Sequence, residues 1–175
     1  MSSPVLSRIG ILSYLDDEAR QQLAGYGHVT TIEPGQVLIS EGNVNRRLYV
    51  ILSGIFAVAT KALGSEVQLD TVGPGDCLGE VAIFHPDQAS ATVTCREAGE
   101  IWSIDATQLQ EFLTASPEYG CALILGINII LSRRLKRANE VIRFHQIVPV
   151  FLTVRTSRRP VTAKIPPVGN KRTDK

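Results

Sequence analysis

The stretch "GPGDCLGEVAIFHPDQASATV" (residues 73–93) combines turn-forming glycines, short apolar runs and acidic side chains, and it contains no lysine or arginine. Gly79 and Glu80 stand before an apolar run, a pattern that predicts a tight turn leading into a helix N-terminus. The free backbone N–H groups at such an end attract anions. Where a cation would complete an anion site, the stretch has Gln88 and Ala89.

Residues 28–105 consist of short alternating or apolar runs that are separated by turns such as Pro34-Gly35. We count seven or eight strands at spacings near ten residues. This rhythm is typical of a jelly roll or sandwich. The sequence therefore predicts a mainly β protein built as a double-stranded β-helix, or jelly roll.

Helical patterns flank this β region. Asp16 is the predicted N-cap of a short helix that ends at Gly25 or Gly27. After Asp105 we expect a second short helix and then a long one, which Pro117 opens. Pro149 is the predicted end of the long helix.

The charges divide the chain into an acidic body and a basic end. Residues 1–132 hold 15 acids and 6 Lys/Arg, a balance of −9, whereas residues 133–175 hold 12 Lys/Arg and 2 acids, a balance of +10. We predict one domain over residues 1–146, with the roll at about 28–105 and the C-terminal helices at about 106–146. Residues 147–175 are predicted to be a basic, disordered tail.

The long helix carries an apolar seam. Apolar side chains recur along it in alternating steps of three and four residues, with one asparagine among them, and this pattern is typical of a two-stranded coiled coil. The helix is also apolar beyond this seam, so we expect it to pack on its own roll and on a partner helix. The predicted dimer residues are Ile124, Asn128, Leu131, Leu135 and Ile142.

The sequence offers little sign of catalysis or metal binding. Three cysteines lie far apart without a CxxC motif, which favours reduced, partly buried thiols and a cytoplasmic location. The three histidines share no metal motif, and Ser90 and Ser103 have no recognisable base partner. The longest apolar run, Cys121 to Leu131, is too short to span a membrane. We expect neither a catalytic residue nor a metal ligand, and hence no enzyme.

The order helix, roll, short helix, long helix resembles the cyclic-nucleotide-binding domain of the catabolite-activator and protein-kinase-A regulatory-subunit families. The resemblance covers about residues 5–146. It rests on "PGQVLISEGNVNRRLYVILSG", on "GPGDCLGEVAIF", which is similar to the opening of the family's phosphate-binding cassette, and on "SATV", which is similar to its exit strand.

The resemblance implies a set of ligand contacts. Glu80, which follows Gly79, would accept a hydrogen bond from the ribose 2′-hydroxyl. The backbone N–H groups around Val81 and Ala82 would donate hydrogen bonds to the phosphate. Ser90 would add a hydroxyl or amide contact. The family's arginine falls at Ala89 in this chain, and the proline before it falls at Gln88.

We therefore expect a nonenzymatic ligand-sensing regulatory module with weak, altered or absent cyclic nucleotide binding. One alternative is a signalling protein that binds cAMP or cGMP through a substitute cation, for which Arg46, Arg47 and Arg96 are candidates. Another is a dimeric protein whose basic tail binds an acidic partner. Only about 30 residues follow the long helix, where DNA-binding relatives have a helix-turn-helix, which argues against sequence-specific DNA binding.

Overall fold

The computed structural model describes residues 5–62, 64–85 and 87–156, with side chains described as far as residue 140. The chain divides into two compact units, residues 1–133 and 134–175. A 3₁₀ helix at Gly10–Tyr14 precedes the other elements. The α-helices are α1 (Asp17–Ala24), α2 (Ala106–Ala115) and α3 (Pro117–Thr156). The strands are β1 (His28–Ile32), β2 (Val37–Ile39), β3 (Arg47–Ile51), β4 (Ile55–Ala62), β5 (Ser65–Val72), β6 (Cys77–Leu78), β7 (Thr92–Glu97) and β8 (Gly99–Asp105).

The strands form two antiparallel four-stranded sheets, with the orders β1-β8-β3-β6 and β2-β7-β4-β5. Each sheet mixes early and late strands, as a jelly roll requires. The predicted mainly β roll with flanking helices is confirmed, and so is the predicted strand number for the described residues.

Alternation along β3 separates two apolar clusters. Ile51 belongs to an inner cluster between the two sheets, and Tyr49 packs against that cluster. Leu48 and Val50 belong to an outer cluster between the first sheet and the helices. Because successive side chains of a strand point to opposite faces, odd-numbered residues of β3 face the interior of the roll. The inner cluster comprises Ile51, Phe56, Val72, Leu78, Val93, Cys95 and Ile101.

The helices are positioned by caps and by close backbone packing. The Asp16 carboxylate accepts a hydrogen bond from the Ala19 N–H at 2.8 Å, which confirms the predicted N-cap. Gly126 of α3 lies against the 3₁₀ helix, because a Cβ added there would be 2.8 Å from Cδ2 of Tyr14. Trp102 is fully buried in the outer cluster, as expected for an aromatic residue in the last strand.

The predicted end of the long helix at Pro149 is wrong, since α3 continues to Thr156. A proline inside a helix removes one N–H from the hydrogen-bond ladder, but here it does not end the helix. The first part of the predicted tail is therefore helical, and residues 157–175 lie outside the described residues. The domain boundary after residue 146 stays a prediction.

Candidate functional site

The candidate cassette (residues 79–90) begins directly after β6. Gly79 has φ +75°, a left-handed conformation that glycine adopts without strain. The chain then makes one helical turn, in which the Ile83 N–H donates to the Gly79 carbonyl and the His85 N–H to the Val81 carbonyl, both at 3.0 Å. Residues 80–84 form turns, so the predicted helix is a single turn. The sequence places Pro86 just after it, where the ring disfavours helical backbone at the preceding residue.

Side chains of this turn are divided between the interior and solvent. Glu80 is 8% exposed, and Ile83 is buried in the outer cluster. Val81 is 59% exposed and Ala82 is partly buried. Among the described residues, no backbone carbonyl accepts from the N–H of Val81 or Ala82. These two donors are therefore available to an anion at the start of the turn, as the resemblance implies.

The entry to the cassette is pressed against the first residue of β3. A Cβ built on Gly79 would lie 2.1 Å from the Arg47 carbonyl oxygen and 2.4 Å from Nδ2 of Asn45. The Asn45 side chain in turn donates to that carbonyl at 2.9 Å and accepts from the Arg47 N–H at 3.2 Å. Only glycine fits this contact, so the entry has a fixed position relative to β3.

The exit of the cassette is bound to the same loop between β2 and β3. The Ala89 N–H donates to the Asn43 carbonyl at 2.9 Å, and the Ala89 carbonyl accepts from the Gly42 N–H at 2.8 Å. Val44 and Gln88 form an isolated β-bridge beside these bonds. We call Gly42, Asn43, Val44 and Asn45 the clasp, because they hold both ends of the cassette. Sequence reasoning missed the clasp.

Glu41 anchors the clasp to the second sheet. Its carboxylate accepts from the Thr60 hydroxyl at 2.7 Å and from the Lys61 N–H at 3.0 Å. Its own N–H donates to the Thr92 hydroxyl at 3.1 Å. The Thr60 hydrogen bond and then the Lys61 hydrogen bond hold the pKa of the Glu41 carboxyl below its ordinary value.

Positive charge is absent from the cassette sequence. No lysine or arginine occurs between Lys61 and Arg96, whereas the same stretch has five acids. Arg96 is exposed and lies four residues beyond Thr92, about 13 Å further along the strand. Ala89 is partly buried and Ser90 is exposed. The cassette therefore has backbone N–H donors at the start of its turn and no lysine or arginine of its own.

Several polar and thiol groups that the structure describes lie outside the cassette. The described residues contain no group of His, Cys, Asp and Glu that could hold a metal ion. Ser103 is 2% exposed, and 3.2 Å separates its Oγ from Nε2 of His28. Sequence reasoning did not predict this pair. Burial raises the pKa of the Cys95 thiol, and the nearby Glu33 adds to this. None of the described helices combines the length and hydrophobicity that crossing a bilayer requires.

The predicted dimer residues of α3 differ in exposure. Ile124 and Leu131 are partly buried, and Leu135 is 64% exposed. Asn128 is exposed, and its side-chain amide donates to the Ile124 carbonyl of the same helix at 3.0 Å. The side chain of Ile142 lies outside the described side chains. An open apolar groove of about 440 Å³ runs beside this seam, lined by Leu113, Pro117, Gly120, Cys121, Ile124, Leu125 and Asn128.

The family model described as the cyclic nucleotide-binding domain matches residues 29–116, which include the roll, the clasp and the cassette. The chain belongs to this family. It is 29% identical over 137 residues to the "CRP-like cAMP-activated global transcriptional regulator" of Mycobacterium tuberculosis. The aligned part is 78% of this chain and 59% of the regulator. The chain thus spans about three fifths of that relative's length.

Two solved structures add to this family assignment. The N-terminal domain of a transcriptional regulator from Streptomyces coelicolor A3(2) is 30% identical and has a TM-score of 0.64, with coverage of 79% of this chain and 95% of that one. The second is a mutant regulatory subunit of a cAMP-independent protein kinase A from Trypanosoma brucei, bound to cAMP in its A site. This structure is 25% identical to the chain, with a TM-score of 0.58. The match covers 74% of this chain and 44% of the Trypanosoma brucei chain. One of its three substitutions replaces threonine by arginine.

Proposed function

We propose that this member of the family is a nonenzymatic regulatory module whose cassette binds a small ligand, and that its affinity for cyclic nucleotides is low. The observation that carries the proposal is the state of residue 89. Its backbone is bound on both sides by the clasp, and its side chain is a methyl group without charge. The cassette has the backbone donors and the buried carboxylate of Glu80, but the side chain of residue 89 cannot neutralise the charge of a bound anion.

The missing charge sets the expected affinity. A hydrogen bond between charged groups contributes about 1.5–3 kcal/mol. Its absence lowers affinity by about 10- to 150-fold. Desolvation of a phosphate without a countercharge adds to this cost, and the balance of −9 over residues 1–132 repels an anion further.

The Trypanosoma brucei relative supports the same view. Its kinase is called cAMP-independent, and the form bound to cAMP carries three substitutions, one of which introduces an arginine. A family member can therefore combine this roll with a changed ligand response. For this chain, cAMP and cGMP are accordingly proposed as weak ligands.

We further propose that α3 pairs with α3 of a second copy. Support comes from the exposed apolar groove, from the exposed Leu135 and from Asn128, which favours a two-stranded register when it meets its equivalent. A ligand-driven change at the cassette would then be read out through this helix pair, as coupling between two sites. An acidic protein partner for residues 147–175 and a cytoplasmic location also stay proposals.

Isothermal titration calorimetry with cAMP and cGMP tests the ligand proposal. We expect Ala89→Arg to lower the Kd by about 10- to 150-fold relative to the unmodified protein. Gln88→Arg is the matched control, because it adds the same charge one residue away, and its Kd should stay within about twofold. Glu80→Ala should raise the Kd of the Ala89→Arg protein for cAMP by about 10-fold or more, because it removes the acceptor proposed for the ribose 2′-hydroxyl.

Two results would contradict the proposal. If the unmodified protein binds cAMP as tightly as Ala89→Arg does, residue 89 does not limit affinity. If Ala89→Arg gives no heat at millimolar cAMP while circular dichroism shows an intact fold, the cassette is not a cyclic nucleotide site.

A further inference from the structure

The cations of residues 1–132 can be sorted by what surrounds them. Arg20 donates to the carbonyls of Leu6 and Leu15, beside α1. Arg8 donates to the Ser13 carbonyl near the 3₁₀ helix. These two arginines are engaged away from the cassette.

The side chains of three of the remaining cations are exposed. Lys61 stands directly opposite Glu66 in the β4–β5 hairpin. Arg96 lies about 13 Å beyond the start of β7. Arg46 is exposed and precedes β3. Arg47 is the remaining cation of residues 1–132, and it is the first residue of β3.

The backbone places Arg47 on the inner face and next to the cassette. It has the same parity as Tyr49 and Ile51, which face the interior. Tyr49 pairs with Leu78 in antiparallel register, and β6 ends at Leu78, so the cassette begins beside the part of β3 that precedes Tyr49. The short distance between Gly79 and the Arg47 carbonyl agrees with this placement.

The base of the Arg47 side chain is fixed, and its tip is partly accessible. The two hydrogen bonds with Asn45 hold both backbone groups of Arg47. The side chain is only partly buried, so its charged end can meet a ligand. Burial raises the pKa of Tyr49, and the charge of Arg47 partly opposes this rise, as expected if the guanidinium is near the phenol on the inner face.

A carboxylate stands opposite Arg47 in the sheet. Asp105 is the cross-strand partner of Arg47 on β8. The Asp105 carboxylate accepts from the Gln108 N–H at 2.9 Å as the cap of α2. A guanidinium has five N–H donors in a planar fork, so Arg47 can bind a carboxylate and a phosphate at the same time.

We propose that Arg47 is the cation that binds the anionic group of a ligand in the cassette, in place of the arginine that the family has at residue 89. This inference rests on the proposed function, since it assigns the charge that supports the remaining affinity. It adds a binding residue from β3, outside the cassette sequence, and it removes Arg46 and Arg96 from the candidate set.

The test is a calorimetric titration with cAMP, carried out both in the unmodified protein and in Ala89→Arg. Arg47→Gln should raise the Kd of the unmodified protein by about fivefold or more, and by a smaller factor in Ala89→Arg, where the arginine at residue 89 supplies the charge. Arg46→Gln is the matched control, because it removes the same charge from the neighbouring exposed position, and it should change the Kd by less than about twofold. Arg47→Lys keeps the charge without the fork and should fall between Arg47→Gln and the unmodified residue.

A second ligand separates a phosphate contact from an effect through Glu80. 2′-deoxy-cAMP keeps the phosphate but lacks the 2′-hydroxyl, which would donate a hydrogen bond to Glu80. We expect Arg47→Gln to raise the Kd for 2′-deoxy-cAMP and the Kd for cAMP by the same factor. A loss with cAMP alone would overturn the inference, because Arg47 would then act only by holding Glu80.

The two proposals fail in different ways. If Ala89→Arg binds cAMP and Arg47→Gln leaves the Kd of the unmodified protein unchanged, the assignment of Arg47 is wrong while the cassette proposal stands. If Ala89→Arg does not bind cAMP at all, the cassette proposal itself fails. Thermal unfolding of each variant shows that the fold is retained, and Arg47→Lys replaces Arg47→Gln if the latter does not fold.

Discussion

Gly79→Ala tests the contact that joins the cassette to β3. The substitution adds one methyl group at a residue with φ +75°, and that methyl would lie 2.1 Å from the Arg47 carbonyl oxygen. The left-handed conformation costs an L-residue about 1–2 kcal/mol. Insertion of a methyl group into a packed contact costs about 1–3 kcal/mol more. We expect a total loss of about 2–5 kcal/mol in the free energy of unfolding.

Gly35→Ala is the matched control for the conformational part. Gly35 has φ +85°, and nothing lies within 4 Å of a Cβ built there. Its substitution should therefore cost only the conformational term of about 1–2 kcal/mol. The difference between the two variants measures the overlap with Arg47.

Urea unfolding at 25 °C and a fixed protein concentration, followed by circular dichroism, gives both free energies. Gly79→Ala should lower the midpoint more than Gly35→Ala does, with the same m-value for both variants. Equal losses would refute the close contact of Gly79 with Arg47. In that case the fixed position of Arg47 relative to the cassette would lose its main support.

Three further predictions concern other parts of the chain. The pKa of the Glu41 carboxyl is depressed in the folded protein, so its contribution to stability is present above its ordinary pKa of 4.5 and is lost as the pH falls through the folded pKa. Glu41→Gln should reduce the slope of the free energy of unfolding against pH in this acidic range. An unchanged slope would contradict this. Leu135→Glu should convert a dimer to a monomer in sedimentation velocity, whereas Leu69→Glu, at a 57% exposed position of β5, should not; a dimer that persists would remove the proposed seam. A thiol reagent should label Cys95 only after unfolding, and rapid labelling of Cys95 in the native protein would contradict its burial.

Local patterns in the sequence were sufficient for the sheets and for one helix cap. Strand alternation depends on which face of each strand is buried, and Asp16 caps α1 through a carboxylate only three residues from its donor. Such features depend on neighbours in the sequence. The burial of Trp102 follows from the same rule, since a large aromatic residue in a strand between two layers lies in the core.

The features that the sequence did not reveal depend on residues far apart in the chain. The clasp joins Asn43 to Ala89 through backbone atoms, which have the same chemistry whatever the side chain. The pair of Ser103 and His28 exists because β1 and β8 are neighbours in the sheet. The inner-face position of Arg47 depends on the inner cluster that Tyr49 packs against, whose members come from several strands. Sequence spacing carries no information on these contacts.

The clasp has a consequence for how ligand preference can change in this family. Residue 89 is held through its N–H and carbonyl alone, so its side chain contributes nothing to the bonds that shape the loop. If residue 89 borders the ligand as we propose, exchange of its side chain changes the charge next to the ligand and removes neither backbone hydrogen bond. Selectivity can therefore drift among descendants of one ancestral domain at little cost to folding.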